Sequence, residues 1–231
     1  MDKNIKDYRE KELKYYVIVN SVIILCSFEI IIDLVNNVVN NNANITFWNI
    51  LNFGFGTIVF TAVFYIVVLF LDSLIAGMYK MKLIWFYKGM PGERIFSEIR
   101  DTDSDVRFTK KQVKNLYASV YALIDTITDN SERRKIENDI WYNIFKKHEF
   151  EQQVFVSHKD SLLFRDMNAI TIWLIICFIG MRLCFGGKIF CLTLLVLFVE
   201  LLVTWYIARV KGSRFVYNVI AADIHKNSMN N

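Results

Sequence analysis

Charged and polar side chains inside long apolar runs are the residues of this sequence most able to do chemistry. Glu200 is the one charged residue between positions 189 and 208, and Glu29 and Asp33 are spaced so that they share one face of a helix. A charge near the centre of a bilayer costs about 2.5–3.5 kcal/mol on insertion scales, so such residues face the protein interior and have a partner. Acidic residues in this position are typical of pathways for protons or cations.

Two interpretations of these side chains stay open. In the structural one, Arg182 pairs with Glu29, because a helical rise of about 1.5 Å per residue places each some 4–6 Å outward of the centre of its apolar run. Glu200 then hydrogen-bonds a polar neighbour such as Asn20 or Thr61. In the functional one, Glu200 and the Glu29 face line a proton or cation path between subunits, because four short spans leave little internal lumen.

Motifs of soluble catalysis are missing from the sequence. It contains no Gly-rich phosphate loop, no Gly-x-Ser-x-Gly, no His-Glu-x-x-His and no Cys-x-x-Cys. Its three histidines, His148, His158 and His225, are scattered, and the pairs His148-Glu149 and His158-x-Asp160 are of a kind that arises readily on polar helix ends. We therefore expect no catalytic residues, no metal, no cofactor and no enzymatic activity.

Four apolar runs must position these residues. Hydrophobic residues make up 54% of the 231 residues, above the usual ~45–50% of soluble proteins. A membrane-spanning helix needs ~20 apolar residues; 50–71 and 189–208 reach that length, while 15–35 and 167–187 do so only with charges inside them. The sequence therefore predicts an all-α integral membrane protein with four transmembrane helices, arranged as two hairpins that flank a cytoplasmic helical domain.

The basic residues decide the expected orientation. Of the 27 Lys and Arg residues, all but Arg182 and Lys188 lie in the N-terminal segment, in the middle segment or from Arg209 onward. Because cytoplasmic loops carry the excess of Lys and Arg, both termini and the middle segment are predicted to be cytoplasmic, in a multi-pass protein of the cell inner membrane. The predicted domains are a cytoplasmic tail (1–14), a transmembrane hairpin (15–79), a cytoplasmic helical domain (80–166), a second hairpin (167–209) and a cytoplasmic tail (210–231).

The middle segment shows helical periodicity with stop and start signals. A helix over 73–88 is expected to extend the second span beyond the bilayer, and Pro91 to end it, because proline disfavours helix at the residue before it. Thr109 with Gln112 three residues later forms a capping-box pattern, which predicts a helix from there to Ile127.

A second set of signals predicts two further helices. Asp129 ends the first helix and caps the next, which runs to about His148, and the two are expected to pack as an antiparallel pair. Ser157 with Asp160 predicts the start of a helix that continues unbroken into the third span. The triplet 154–156 is the one strand-like stretch of this segment.

Two basic clusters of the middle segment form a candidate surface for a signal or a partner. They comprise Lys110, Lys111 and Lys114, then Arg133 and Arg134, with Trp141 nearby. Acidic and basic residues of the segment nearly balance, whereas nucleic-acid binding needs a concentrated basic face. Solvated helix faces, or contact with anionic headgroups, are the alternative interpretation of both clusters.

Four short parts of the middle segment carry a family resemblance. They are Pro91-Gly92-Glu93-Arg94-Ile95, Arg107-Phe108-Thr109-Lys110, Trp141-Tyr142-Asn143-Ile144-Phe145, and Val154-Phe155-x-x-His158 with Leu163-Phe164-Arg165-Asp166. With these parts the chain resembles a group of bacterial four-span membrane proteins in which two hairpins flank a cytoplasmic helical region. The resemblance implies a place beside prokaryotic antiviral systems, CRISPR loci among them, as a membrane-acting accessory or effector. It assigns no catalytic residue to this chain.

These patterns together lead to one expected function and two alternatives. We expect an oligomeric inner-membrane effector or accessory of bacterial antiviral defence, which alters membrane permeability when its cytoplasmic helical domain receives a signal or partner. Its expected partners are the lipid bilayer, further copies of the chain, and a cytoplasmic protein or nucleotide signal, without direct binding of nucleic acid. The alternatives are a proton-coupled transporter subunit that uses Glu29, Asp33 or Glu200, and a passive membrane anchor or adaptor for a cytoplasmic partner.

Overall fold

A computed structural model describes residues 5–26, 47–101, 105–185 and 191–229. Across these residues the protein is helical and has no strand. The helices are α1 (Ile5–Cys26), α2 (Phe47–Leu74), α3 (Gly77–Trp85), α4 (Ile95–Asp101), α5 (Lys110–Leu116), α6 (Ala118–Thr126), α7 (Asn130–His148), α8 (Gln152–Phe185) and α9 (Cys191–Met229), with a short 3-10 helix at Pro91–Glu93. The predicted all-α fold is thus confirmed for the described part of the chain.

Among the described residues, three helices are long and apolar enough to cross a membrane. They cover Gly54–Leu74, Gln152–Leu183 and Cys191–Ser228. They contain most of the second, third and fourth apolar runs of the sequence. The first run is described only as far as Cys26, and the segments 27–46 and 186–190, which hold the tips of both predicted hairpins, lie outside the described residues.

The chain forms two compact units. Unit 1 comprises Met1–Lys80 and Leu163–Tyr206, and unit 2 comprises Met81–Leu162 and Ile207–Asn231. Helices α3, α8 and α9 contribute residues to both units. Each unit has an apolar core of its own.

Helices α1, α2, α8 and α9 supply the core of unit 1. Val17 and Ile24 of α1 are fully buried, as are Ile170, Leu174 and Phe178 of α8. These positions recur at intervals of four and seven residues, so each set occupies one helix face. The other faces of α2 and α9 expose large apolar side chains, as expected for helices that contact lipid.

The core of unit 2 includes the C-terminal segment. Ile95 is fully buried there, and α9 adds Val216, Val219 and Ile220 at three- and one-residue steps along one face. The sequence predicts a cytoplasmic tail from residue 210 onward. In the structure this stretch continues α9, because its apolar residues find a core to pack against.

The capping signals are confirmed, but the helix after Thr109 is shorter than predicted. Gln112 Oε1 accepts from the Thr109 backbone N–H at 2.9 Å, and the Gln112 N–H donates to Thr109 Oγ1 at 3.4 Å. Asp129 likewise caps α7 by accepting two backbone N–H groups. Helix α5 ends one residue before Tyr117, and α6 begins one residue after it. At this break the Tyr117 hydroxyl donates to Asp223 Oδ2. Asp223 is far away in the sequence, so the periodicity of residues near Tyr117 could not predict this contact.

Replacing Thr109 with alanine is expected to lower the free energy of unfolding by about 1 kcal/mol, because the first turn of α5 loses its side-chain acceptor. Serine at the same position keeps the hydroxyl and is the matched control. Thermal unfolding of the full chain in detergent, followed by circular dichroism, measures both variants. A Thr109→Ala variant that melts together with Thr109→Ser would contradict the stabilising role of this cap.

Helix α8 begins before the predicted signal. The sequence predicts a start at Ser157, but α8 begins at Gln152 and the strand-like triplet 154–156 is helical. Ser157 Oγ donates to the Val154 carbonyl at 2.9 Å inside the helix. Val154, Ser157 and Ser161 are all buried, so they share one face, and the packing of that face overrides the strand preference of the triplet. The predicted unbroken helix into the third span is confirmed, because α8 is continuous.

The predicted extension of the second span is interrupted. The sequence predicts one helix over 73–88, whereas α2 ends and α3 begins within that range. Ser73 Oγ donates to the Phe70 carbonyl at 2.7 Å, a local contact that competes with the backbone hydrogen bonds and often bends helices. The predicted stop is confirmed, since α3 ends before Pro91 and is followed by Gly89 with a φ of 75°.

Candidate functional site

Polar side chains at three levels interrupt the apolar interior of unit 1. The first level is an ion-pair cluster around Asp166, the second joins Tyr16 to Thr171, and the third joins Asn20 to Glu200. Tyr16 and Asn20 are four residues apart on α1 and therefore lie on one face of that helix. These three levels together are called the polar column.

Asp166 is the centre of the first level. Its side chain is 3% exposed and lies 3.1 Å from the Arg9 guanidinium and 3.6 Å from Lys80 Nζ. Arg165 contacts it at 2.8 Å, and Lys80 also contacts Asp72 at 2.6 Å. Two carboxylates therefore share three cations from α1, α3 and α8. Burial of these charges is tolerated because each has a counter-charge within ion-pair distance.

Hydroxyl and amide groups form the second level. The Tyr16 hydroxyl lies 2.6 Å from Thr171 Oγ1, which itself donates to the Met167 carbonyl at 2.8 Å. Because a hydroxyl has one proton to donate, Tyr16 is the donor of the pair. Asn168 Nδ2 donates to Thr204 Oγ1 at 3.1 Å, so α8 and α9 are joined by hydrogen bonds near this level.

Asn20 and Glu200 form the third level. Asn20 Nδ2 donates to Glu200 Oε1 at 3.0 Å, and Asn20 is one of the two partners expected from the sequence. Glu200 Oε2 and Asn20 Oδ1 are buried and have no hydrogen-bond partner among the described residues. An ionised oxygen in this position costs several kcal/mol unless a proton, a cation or water satisfies it. The third level is therefore chemically suited to hold one of these three.

Arg182 lies far from the first level along α8. It follows Asp166 by sixteen residues, or about 24 Å at the helical rise. Its side chain is buried, and the guanidinium carbon is 5.7 Å from the centroid of the Phe178 ring. Glu29, its predicted partner, and Asp33 lie outside the described residues, so the Glu29–Arg182 pair stays a prediction.

The predicted partner surface is divided between two helices of unit 2. Lys110, Lys111 and Lys114 lie on α5, and Arg133 and Arg134 lie on α7. The side chains of Lys111, Lys114 and Arg134 are exposed. Trp141, in contrast, is buried and stacks on Phe145 with ring centroids 5.8 Å apart. Trp141 therefore does not belong to an exposed surface, because the apolar face of α7 packs into the core of unit 2.

A buried polar network in unit 2 has no local signal in the sequence. His148 is 1% exposed, with Nδ1 2.5 Å from Glu151 Oε1 and Nε2 3.1 Å from Asp223 Oδ1. Asp223 Oδ2 accepts from the Tyr117 hydroxyl at 2.7 Å. Burial, together with the Asp223 carboxylate, raises the pKa of Tyr117, so its hydroxyl keeps the proton that it donates. The sequence pairs His148 with Glu149, whereas the structure pairs it with Glu151 and with a residue of α9.

Comparison of the chain with protein-family models, with curated proteins and with solved structures gave no match. Function is therefore inferred from the geometry of the described residues and from the patterns of the sequence. Two buried carboxylate oxygens of the described residues have no hydrogen-bond partner, Asp72 Oδ1 and Glu200 Oε2. Asp72 pairs with Lys80, so Glu200 is the one of these two acids that has no described counter-charge.

Proposed function

We propose that this chain is an oligomeric inner-membrane effector that alters membrane permeability to protons or small cations. In this proposal the path passes Glu200, and unit 2 lies on the cytoplasmic side, where it receives a signal or a partner. The observation that carries the proposal is Glu200 Oε2, a buried oxygen that has no hydrogen-bond partner among the described residues. An acid inside an apolar helix lowers stability, so its presence favours a functional role.

The polar column supports a path rather than an isolated buried acid. Along α1, Arg9, Tyr16 and Asn20 are separated by seven and four residues, or about 10 and 6 Å. All three contact polar partners on α8 or α9. A moving cation needs oxygen ligands along its route, and the second and third levels supply them from Tyr16, Thr171, Asn20 and Glu200. The oxygens of Asp166 in the first level are already paired with three cations.

Helices α8 and α9 connect the polar column to unit 2 through continuous backbone. Helix α9 carries Glu200 and also Val216 and Val219 of the unit 2 core, and α8 carries Asp166 and also Val154. A partner that displaces the unit 2 residues therefore acts on the helices that hold the polar column. In the proposal, this is how a signal changes permeability.

Exposed apolar faces support the oligomeric part of the proposal. Ile58, Ile66 and Phe70 on α2 and Phe198 and Val203 on α9 are each about half exposed or more. In a bilayer such faces contact lipid or a second copy of the chain. The role in antiviral defence follows from the resemblance of the middle segment alone, and it predicts a nuclease or nucleotide-signalling gene beside this one.

Membrane polarisation in bacteria that express the full chain tests the proposal. We expect a potential-sensitive dye to report depolarisation when the neighbouring genes or an infection are present. Glu200→Leu removes the carboxylate and is expected to abolish this depolarisation. Val199→Leu alters an exposed neighbour on the same helix and is the matched control, expected to behave like the wild type. Glu200→Gln keeps an acceptor for Asn20, so it separates the loss of charge from the loss of the hydrogen bond.

The outcomes of this experiment separate the proposal from its rivals. If the Glu200→Leu variant depolarises the membrane as much as the wild type does, there is no path past this residue. Proton uptake at rest with a steep pH dependence would instead favour a proton-coupled transporter subunit. Unchanged polarisation in every condition would favour a passive anchor or adaptor. Immunoblots of the membrane fraction show whether all variants are present at equal levels, so that a folding defect is not mistaken for a conductance defect.

A further inference from the structure

Unit 2 contains an open groove of about 1010 Å³ between the first turns of α8 and the C-terminal half of α9. Its polar lining includes Arg107, Gln152, Asp160, Lys211, Arg214 and Asn218. Val106, Val156 and Tyr217 add apolar surface, and all of these residues belong to unit 2. A volume of this order is typical of sites for small molecules rather than of packing defects.

The charged side chains of the groove leave one cation without a counter-charge. Lys211 Nζ contacts Asp160 at 2.7 Å, and Arg107 Nε contacts Asp105 at 2.8 Å. The Arg107 guanidinium holds the pKa of Asp105 below its usual value, so this acid stays ionised and neutralises Arg107. Arg214 is exposed, and no described carboxylate lies within ion-pair distance of it. The lining therefore has a net positive charge and attracts an anion.

Asn218 gives the groove a buried hydrogen-bond donor. The residue is 6% exposed, and its Oδ1 accepts from the Arg107 guanidinium. Because a guanidinium only donates, the atom that faces it must be the amide oxygen, and the amide nitrogen keeps its donors. This nitrogen has no acceptor among the described residues. A buried donor without a partner favours a ligand that accepts its hydrogen bond.

The first turn of α8 adds two backbone donors. The Phe155 N–H donates to the Glu151 carbonyl at 2.8 Å, so the N–H groups of Gln152 and Gln153 precede the hydrogen bonds within the helix. Both residues line the groove. The positive end of the helix dipole lies at the same place, and it favours negative charge there.

The number of donors favours a phosphate over a carboxylate. The Arg214 guanidinium, the Asn218 amide nitrogen and the two N–H groups of α8 all belong to the lining of one groove. A carboxylate offers two oxygens, whereas a phosphate group offers three oxygens and a charge of about −1.5 to −2 at neutral pH. Guanidinium groups and helix N-termini are both common partners of phosphate.

The size of the groove indicates that the phosphate is part of a larger molecule. A phosphate ion alone fills only a small part of a cavity of about 1010 Å³. Tyr217 follows Arg214 by three residues, so both lie on one face of α9. Val156 is about half exposed, and it lines the groove together with Tyr217. An aromatic side chain beside a cation is a surface on which the flat ring of a nucleoside stacks.

We propose that this groove binds a small soluble phosphomonoester of the nucleotide class. Arg214 pairs with the phosphate, the Asn218 amide nitrogen and the first N–H groups of α8 donate to its oxygens, and Tyr217 contacts the ring. The inference rests on the proposed function in one respect, since it names the class of ligand that unit 2 receives as a signal. Binding in the groove does not involve Glu200, so it is measured separately from ion movement.

Isothermal titration calorimetry of the full chain in an uncharged detergent tests this site, with adenosine monophosphate (AMP) as the probe. The wild type is expected to bind AMP more tightly than inorganic phosphate and to show no binding of adenosine, which lacks the phosphate. Arg214→Gln is expected to weaken AMP binding about tenfold, because one charge-assisted hydrogen bond contributes a factor of this size. Lys226→Gln, which neutralises an exposed cation on α9 outside the groove, is the matched control and is expected to bind AMP like the wild type.

A second variant and a competition arm make the test decisive. Asn218→Asp keeps an acceptor for Arg107 but replaces the amide donors by a negative charge, so it is expected to weaken AMP binding at least as much as Arg214→Gln. Circular dichroism shows whether each variant is folded. Equal affinities of Arg214→Gln and Lys226→Gln for AMP, or equal binding of AMP and adenosine by the wild type, would overturn the site. Displacement of AMP by short-chain phosphatidylglycerol but not by short-chain phosphatidylcholine would overturn a soluble molecule as the source of the phosphate.

The two proposals fail in different measurements. Absence of AMP binding together with depolarisation that depends on Glu200 would overturn the nucleotide site and leave the path standing. Binding of AMP that depends on Arg214, in a chain whose Glu200→Leu variant still depolarises the membrane, would support the site and overturn the path.

Discussion

Replacing Asp166 with leucine is expected to lower the free energy of unfolding by about 3–5 kcal/mol, the largest loss among the substitutions discussed for this protein. The Asp166 side chain is 3% exposed and contacts Arg9 at 3.1 Å, Lys80 at 3.6 Å and Arg165 at 2.8 Å. Leucine leaves these cations with Asp72 as their one remaining acid in the cluster. An uncompensated buried charge costs more than the attraction that is lost.

Unfolding of the full chain in mixed micelles with increasing SDS, followed by circular dichroism, measures this loss. Asp160→Leu is the matched control, since Asp160 is also on α8 and pairs with Lys211 at 2.7 Å. In that pair, however, the side chains are 27% and 29% exposed. A pair with such access to water contributes about 0–1 kcal/mol. Equal losses for Asp160→Leu and Asp166→Leu would show that burial of the charge is not the cause.

Asp223→Leu is expected to lower the free energy of unfolding by about 2–5 kcal/mol, because two buried groups lose their acceptor at once. The Tyr117 hydroxyl donates to Asp223 Oδ2 at 2.7 Å, and His148 Nε2 lies 3.1 Å from Oδ1. The three residues come from three separate parts of the chain, so their loss affects the packing of unit 2 as a whole. Near-ultraviolet circular dichroism during thermal unfolding reports the change through the buried Trp141.

Two further variants show whether hydrogen bonding is the source of the Asp223 effect. Asp223→Asn keeps one carbonyl oxygen and can satisfy one of the two groups, so about half of the loss is expected. Asp139→Leu removes an exposed carboxylate from α7 that has no described contact, and it is expected to melt close to the wild type. If Asp223→Leu melts with Asp139→Leu, the network does not stabilise unit 2.

The two buried networks differ in what they offer for function. In the unit 2 network, Asp223 accepts from Tyr117 and faces His148, while the other ring nitrogen of His148 faces Glu151, so each group has a partner. In the polar column, Glu200 keeps an oxygen without a partner among the described residues. A saturated network stabilises one conformation, whereas an unsatisfied carboxylate can take up a proton, cation or water. This contrast is why the proposed path is assigned to unit 1.

Helix ends were predictable from sequence because they depend on residues that adjoin in the chain. The Thr109–Gln112 capping box, the Asp129 cap and the stop before Pro91 all appear as predicted. Each cap needs only a side chain that reaches a backbone group within three residues. The stop needs only the proline ring, which cannot continue a helix. The start of α8 was misplaced at Ser157 because its packing against distant helices, rather than a local cap, decides where the helix begins.

Residues that meet across the fold were only partly predictable. The sequence suggests Asn20 or Thr61 as the hydrogen-bond partner of Glu200, and the structure selects Asn20 with a 3.0 Å hydrogen bond. Trp141 is predicted to belong to the partner surface, but in the structure it is buried and stacks on Phe145. Sequence spacing gives the face of a helix, and it does not say which neighbour covers that face.

By itself, the sequence of this protein determined the helical class, the apolar helices able to cross a membrane, and the presence of acids within them. These properties depend on composition and on the helical period, which a single chain displays directly. Only the tertiary structure decided that Asp166 shares three cations, that Asp223 joins Tyr117 to His148, and that the C-terminal stretch belongs to the core of unit 2. Such partners lie far apart along the chain, and the packing that brings them together depends on all the helices at once.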